Sequence, residues 1–306
     1  MVPPAPGAPP APTAPPASGA SSALGWEQAL FGPLALLTLL WTTILTGLFV
    51  EMLPCKIKCR WRVAYAPKSI AFSIWIIIYV WVLASCFYQL AGEYGADVRP
   101  AEAASNLLAA SSFAFCSGWL AYVDSWPQHR DEHGVTVAAL FIWAAAATAM
   151  AAVVHERAWR RWNEDPTYAW MVGGPLALFA GWLLVATALS TGTAFKALSD
   201  LSRRGAQTAS STSLTERAET RLAGGQRHPE QCQSAEPWER WVPLALAVLV
   251  AAAASLLPDP ILPVPLAWGL LMQRTGTTPN RVAAAVLVAG SVVAFSLAAS
   301  RAHAGP

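Results

Sequence analysis

The chain has 306 residues, of which 55% are hydrophobic and 12% charged, with a mean hydropathy of +0.41 and a formal net charge of +2. That balance excludes an ordinary soluble domain and indicates a membrane protein. The near-neutral charge excludes the basic field that nucleic-acid binding needs, and five dispersed cysteines make no disulfide framework.

Residues 1–28 form a Pro/Ala-rich tail with eight prolines among the first 16 positions. No apolar run can build there, so a disordered or polyproline-like spacer is expected. The tail has neither the basic start and apolar core of a signal peptide nor the arginines of a transit peptide. Hydrophobic runs follow near 29–50, 69–91, 105–123, 135–154, 169–195, 241–257, 261–273 and 281–300. Crossing a bilayer takes about 20 residues, and only helices satisfy their own backbone in lipid. The predicted fold is therefore all-α, a polytopic membrane helix bundle. Pro175 predicts a kink in the fifth run. Pro258, Pro260, Pro263 and Pro265 crowd the start of the seventh and make it the weakest.

Lys and Arg set the orientation. The connections after runs one, three, five and seven carry 15 of them, including Lys56, Lys58, Arg60, Arg62 and Lys68, and the other side carries five. The first set is expected to be cytoplasmic, with both termini opposite; without a seventh crossing the C-terminus moves inside. The stretch 199–240 is polar and mixed in charge, and reads as a disordered cytoplasmic loop with a Ser/Thr cluster after Arg203 and Arg204 that phosphate could modify. It divides the chain into a five-helix core at 29–198 and C-terminal helices at 241–300, followed by a tail at 301–306.

All 18 acidic residues fall outside these runs or at their edges. Ion-coupled transport usually needs ionisable groups inside the membrane, so a proton-driven pump is disfavoured. Metalloprotease, nucleophile-elbow and P-loop motifs are missing. His129, His133 and His155 sit at loops or helix ends, where solvated imidazoles are expected, and no metal or cofactor is predicted. Cys55 and Cys59 are a close pair in a basic loop with too few neighbours for a tetrahedral site.

Fifteen tryptophans are present. Trp26, Trp126, Trp159, Trp162, Trp170, Trp238 and Trp241 lie near run ends, where indole favours the membrane interface. Trp41, Trp75, Trp81, Trp119, Trp143, Trp182 and Trp268 fall within runs. An indole N–H among lipid tails would go unpaired, so some of these are expected to turn inward. Phe72, Trp75 and Tyr79 recur at intervals of three and four, which stacks them on one helix face. They climb about 10 Å, too far for one interfacial belt. That face either packs against neighbouring helices or walls a cleft for a flat apolar molecule. In the fifth run Gly173, Ala177 and Gly181 repeat every four residues, a spacing that lets another segment approach closely.

Pro67, Phe72, Trp75 and Tyr79 resemble the signature opening the second helix of the TspO/MBR (translocator protein, tryptophan-rich sensory protein) family. "GGPLALFAGWLLVATALS" resembles its fifth helix through Pro175, Gly181, Trp182 and Ala186, and Trp119 resembles its third-helix tryptophan. The likeness covers roughly 29–198. "PLAWGLL" around Trp268 resembles the longer, eight-helix branch. Where the family commonly has asparagines this chain has Cys116 and Ser190, and Lys68 replaces the second proline of the usual pair. The resemblance implies a five-helix TspO-like core plus about three further transmembrane helices, and a site formed by Phe72, Trp75, Tyr79, Cys116, Trp119, Trp182, Ala186 and Ser190. It implies an integral multi-pass membrane protein that binds a hydrophobic planar ligand for sensing or transfer; with no buried acid, base or nucleophile set in the sequence, an enzyme is not expected. That ligand would be tetrapyrrole- or sterol-like, with porphyrin or haem bound as ligand rather than cofactor. By position, Trp61 and Tyr65 would serve as a lid. The lipid bilayer is the expected partner, with a homodimer left open. An uncoupled facilitative transporter and a ligand-free membrane scaffold are the alternatives.

Overall fold

A computed structural model describes residues 35, 37–44, 63, 65–66, 69–91, 100–125, 132–157, 165–210, 237–257, 259–272 and 278–303. Every regular element among them is helical. The helices are α1 (35 and 37–44), α2 (a 3₁₀ turn Ser69–Ser73 leading into Ile74–Ala91), α3 (Pro100–Ser125) and α4 (Glu132–Arg157). Then come α5 (beginning at Pro166 and ending at Ser210), α6 (a 3₁₀ turn Pro237–Arg240, then Val242–Leu256), α7 (Val264–Leu271) and α8 (Thr278–His303). The tail 1–28, the Cys55/Cys59 pair, Trp61, Pro67, Lys68 and His129 lie outside the described residues.

Helix α2 shows how composition becomes topology. Ile74, Trp75, Ile78, Val82, Cys86 and Gln89 recur at helical spacing and are buried, while Ile76, Ile77, Val80 and Phe87 are more than half exposed. In a helix this apolar all round, the exposed side is one that lipid can cover. In α4 the inward residues are Ala145, Ala146, Ala149 and Ala152. Small side chains bring α3 close enough for Ser112 Oγ to donate to the Ala145 carbonyl at 2.7 Å.

Helix α5 is the axis of the bundle: 72% of its apolar window is buried, against 29–44% for the other four crossing helices. It packs against α2, α4 and α7. Asp165 caps its start, accepting from the Thr167 and Tyr168 amides at 2.9 and 3.0 Å, with Pro166 at the first helical position. The disturbance expected at Pro175 takes the form of a π turn over Ala169–Gly173. A wider turn there accommodates a residue that has no amide to offer the preceding carbonyl.

Two expectations change. The stretch 199–240 does not begin as a loop, because α5 runs on to Ser210. Residues 201–206 are all exposed, and an Asp200–Arg204 pair at 2.6 Å supports the projecting turns. A polar helix needs no core when it continues one already nucleated in the bundle. The seventh run also falls short of a crossing. Helix α7 has eight residues and rises about 12 Å, against a hydrocarbon core of about 30 Å. Prolines at its start leave a bent segment at 260–263. Placing both termini opposite the basic loops required a full crossing there.

Candidate functional site

The rings of three helices meet in one cluster. From α2, Trp75 stacks on Tyr79 with centroids 5.4 Å apart and meets Trp182 of α5 edge-on at 6.4 Å. Phe72 touches Trp182 edge-on at 5.7 Å. Trp75 and Trp182 are 7% and 1% exposed, so both point inward, whereas Phe72 is 37% exposed at the rim. Their spacing on α2 and the burial of α5 produce this convergence; neither helix alone could.

Two further rings complete the cluster. Phe179 of α5 lies 6.0 Å from Trp75, and Phe113 of α3 lies 6.1 Å from Tyr79. Phe113 and Phe179 stack on each other at 4.1 Å. Sequence reasoning missed both, although a signal existed: Phe179 precedes Trp182 by three residues, the same interval as Phe72 to Trp75. Phe113, rather than Trp119, supplies the ring of α3; Trp119 is half-buried farther along that helix. Cys116 is a buried free thiol on the same helix as Phe113. Ala186 and Ser190 follow Trp182 by one and two turns and are half-buried, outside the buried core.

The cluster is filled by its own rings. Its one unmet polar group is the Tyr79 hydroxyl, which is buried without a hydrogen-bond partner among the described residues. Leaving such a group unsatisfied costs about 1–3 kcal/mol. A separate cleft of about 20 Å³ lies between α5, α6 and α7, lined by Tyr65, Val185, Leu189, Val242, Leu246 and Leu266 among others. That is room for about one water.

Tyr65, just before α2, donates its hydroxyl to the Ala188 carbonyl at 2.9 Å. Gly192 makes room for it, since a Cβ there would collide with that hydroxyl. Burial, and then the Glu239 carboxylate, hold the phenol well above its usual range.

Polar groups also gather at the opposite ends of α2–α4. Asn106 donates to Gln89 at 3.0 Å, Gln89 donates to Ser85 at 3.2 Å, and Ser105 bonds the His155 ring at 2.9 Å. His155 is thus a half-buried, bonded imidazole rather than a solvated one, because α3 passes beside the end of α4. His133 is exposed as expected. No group of three metal-ligating side chains occurs among the described residues.

Not every intramembrane indole turns in. Trp41 and Trp143 are 62% and 53% exposed. Trp143 instead satisfies its N–H on Thr191 Oγ1 of α5 at 3.0 Å.

Compared with known proteins, residues 28–212 match the model of a family described as TSPO-like protein, well over half of the chain. No curated protein and no solved structure matches. The matched residues end two positions after α5, so α6, α7 and α8 lie wholly beyond them.

Proposed function

This chain belongs to the TSPO-like protein family, and from that premise we propose that it binds a hydrophobic planar ligand, tetrapyrrole- or sterol-like, for sensing or transfer. Five of its described helices are long and apolar enough to cross a membrane, and with the family they make it an integral multi-pass membrane protein. The single observation that carries the ligand reading is the convergence of the Trp75, Tyr79 and Trp182 rings in one cluster that contains one buried, unsatisfied hydroxyl, that of Tyr79. Aromatic walls with few polar anchors are the usual make-up of a small-molecule site. A flat ligand would have to take the place of one of these packed rings, and a carboxylate or carbonyl on it would accept from Tyr79. In this reading Phe72 guards the rim, and Cys116, Trp119, Ala186 and Ser190 extend the same wall. The role is binding rather than catalysis.

Tryptophan quenching by protoporphyrin IX in the purified full-length chain tests this. Saturable quenching is expected, with Trp75→Ala plus Trp182→Ala abolishing it. Tyr79→Phe should weaken binding about tenfold, the worth of one hydrogen bond, at little cost to folding. Quenching that never saturates, or that is indifferent to the double substitution, rejects the reading. The tight Phe113–Phe179 stack at 4.1 Å favours a second reading, in which the cluster is bundle core and the chain is a membrane scaffold. That reading predicts large losses of stability in the double variant and no ligand effect.

A further inference from the structure

Residues 237–303, beyond the family-matched segment, contain two carboxylates, Glu239 and Asp259. Both are fully buried, and each pairs with a cation of the matched segment: Glu239 with Lys196 of α5, and Asp259 with Arg157 at the end of α4. In both pairs the core supplies the cation and the C-terminal helices supply the anion. The two carboxylates flank α6, which with its opening 3₁₀ turn rises about 30 Å. That length matches the hydrocarbon core of a bilayer, so one pair lies at each end of a crossing.

An apolar fit accompanies the charges. The Leu262 carbonyl and the Pro265 ring take the space that a side chain at Gly181 of α5 would need, and a Cβ at Gly174 would lie 3.3 Å from Ile261 Cδ1. Trp268 donates its Nε1–H to the Ala71 carbonyl of α2 at 3.1 Å, and Trp238 meets Phe195 of α5 edge-on at 5.5 Å. A carboxylate at each end would suit α6 in either direction; the seats at Gly174 and Gly181, which receive 261–265, set which way it runs. A misplaced α6 would separate both pairs and leave desolvated charge behind.

The C-terminal helices also have an interior of their own. Helix α6 packs along α8, where Ala247, Ala283 and Leu287 are fully buried and Gly290 admits Ala251. A unit packed internally docks as one body, and none of these contacts requires the covalent connection through 211–236. We propose that the face formed by α5 and the end of α4 is an interaction surface for an apolar helical unit carrying one carboxylate at each membrane boundary. Its occupant is this chain's own 237–303, recognised by the two buried pairs and held without that connection. The proposal is independent of the ligand reading.

The test uses the full-length chain, tagged differently at its two ends, with a protease site in a Gly/Ser spacer inserted within 211–236 and cut after purification in mild detergent. The wild-type halves should stay together as one particle of unchanged size. Glu239→Gln, which keeps the side-chain shape and strands Lys196, should release the C-terminal half about a hundredfold faster or more. Lys196→Glu should do the same, and combining it with Glu239→Lys should restore retention; tryptophan emission of each uncut chain identifies the variants that fold. Separation of the wild-type halves on cutting overturns the proposal. So does retention in the folded Glu239→Gln variant equal to that of wild type, which would assign the attachment to apolar packing alone.

Discussion

Gly181 and Gly205 stand on the same helix and carry opposite expectations. A Cβ at Gly181 meets the Leu262 carbonyl and lies 3.1 Å from Pro265 Cγ, whereas nothing lies within 4 Å of one at Gly205. Backbone cannot retreat as a side-chain tip can, so Gly181→Ala should cost about 1–3 kcal/mol. Gly205→Ala, on an exposed helical turn, should gain up to about 1 kcal/mol from helix propensity. Thermal unfolding of the two variants in one detergent checks both signs. Tyr65 supplies a pH test. Its folded-state phenol ionises above the ordinary value of 10.0, so the neutral form is the one that folding favours. Its stabilisation is complete below pH 10 and is lost as pH rises towards the folded value. Tyr65→Phe should therefore flatten the fall of Tm above pH 10, and a fall as steep as wild type would refute it.

At the scale of elements, two buried ion pairs join the C-terminal helices to the family-matched core. Arg157, ending α4, pairs with Asp259 in the turn after α6, and Lys196 of α5 pairs with Glu239 in the 3₁₀ turn that opens α6 at 2.5 Å. All four side chains are at most 8% exposed. Buried pairs add little net stability when intact, but removing one partner costs about 3–5 kcal/mol because the other charge stays desolvated. Asp259 has a second job, since its Oδ1 accepts from the Ile261 and Leu262 amides at 2.8 and 3.2 Å. Asp259→Asn keeps an acceptor for those amides and loses the charge; Asp259→Ala loses both. The alanine variant should be less stable than the asparagine variant by about 1 kcal/mol, the worth of such a cap, with both well below wild type. Equal unfolding midpoints would assign the whole effect to the ion pair.

For the whole molecule, one pair ties the end of α4 to the turn before α7 and the other ties α5 to the start of α6, so the C-terminal helices are pinned to the core at two separate points. A chain ending at residue 212 would leave Lys196 without Glu239 and Trp182 without α7 beside it. It should show a clearly lower Tm than the full chain and a red-shifted tryptophan emission as buried indoles meet solvent or lipid. A fragment with unaltered Tm and emission would mean that the C-terminal helices are independent of the core. The same arrangement explains how a helix with charge at Lys196 remains in a bundle: the counter-charge arrives from 43 residues downstream.

What residue order determined by itself was the solvent, the helical class and the faces. Apolar runs of bilayer length leave helices as the way to satisfy the backbone, and Phe72, Trp75 and Tyr79 share a face because 3.6 residues make a turn. The family motifs were legible for the same reason, being local spacings on single helices. Tertiary structure decided everything that needs two segments at once. It made Phe113 and Phe179 partners of Trp75 and Tyr79, left the Tyr79 hydroxyl unmet, and gave His155 a serine. It also stopped α7 short of a crossing and gave the Trp268 N–H the Ala71 carbonyl of α2. Periodicity tells which way a side chain points; only the packing of long-range neighbours tells what it meets there.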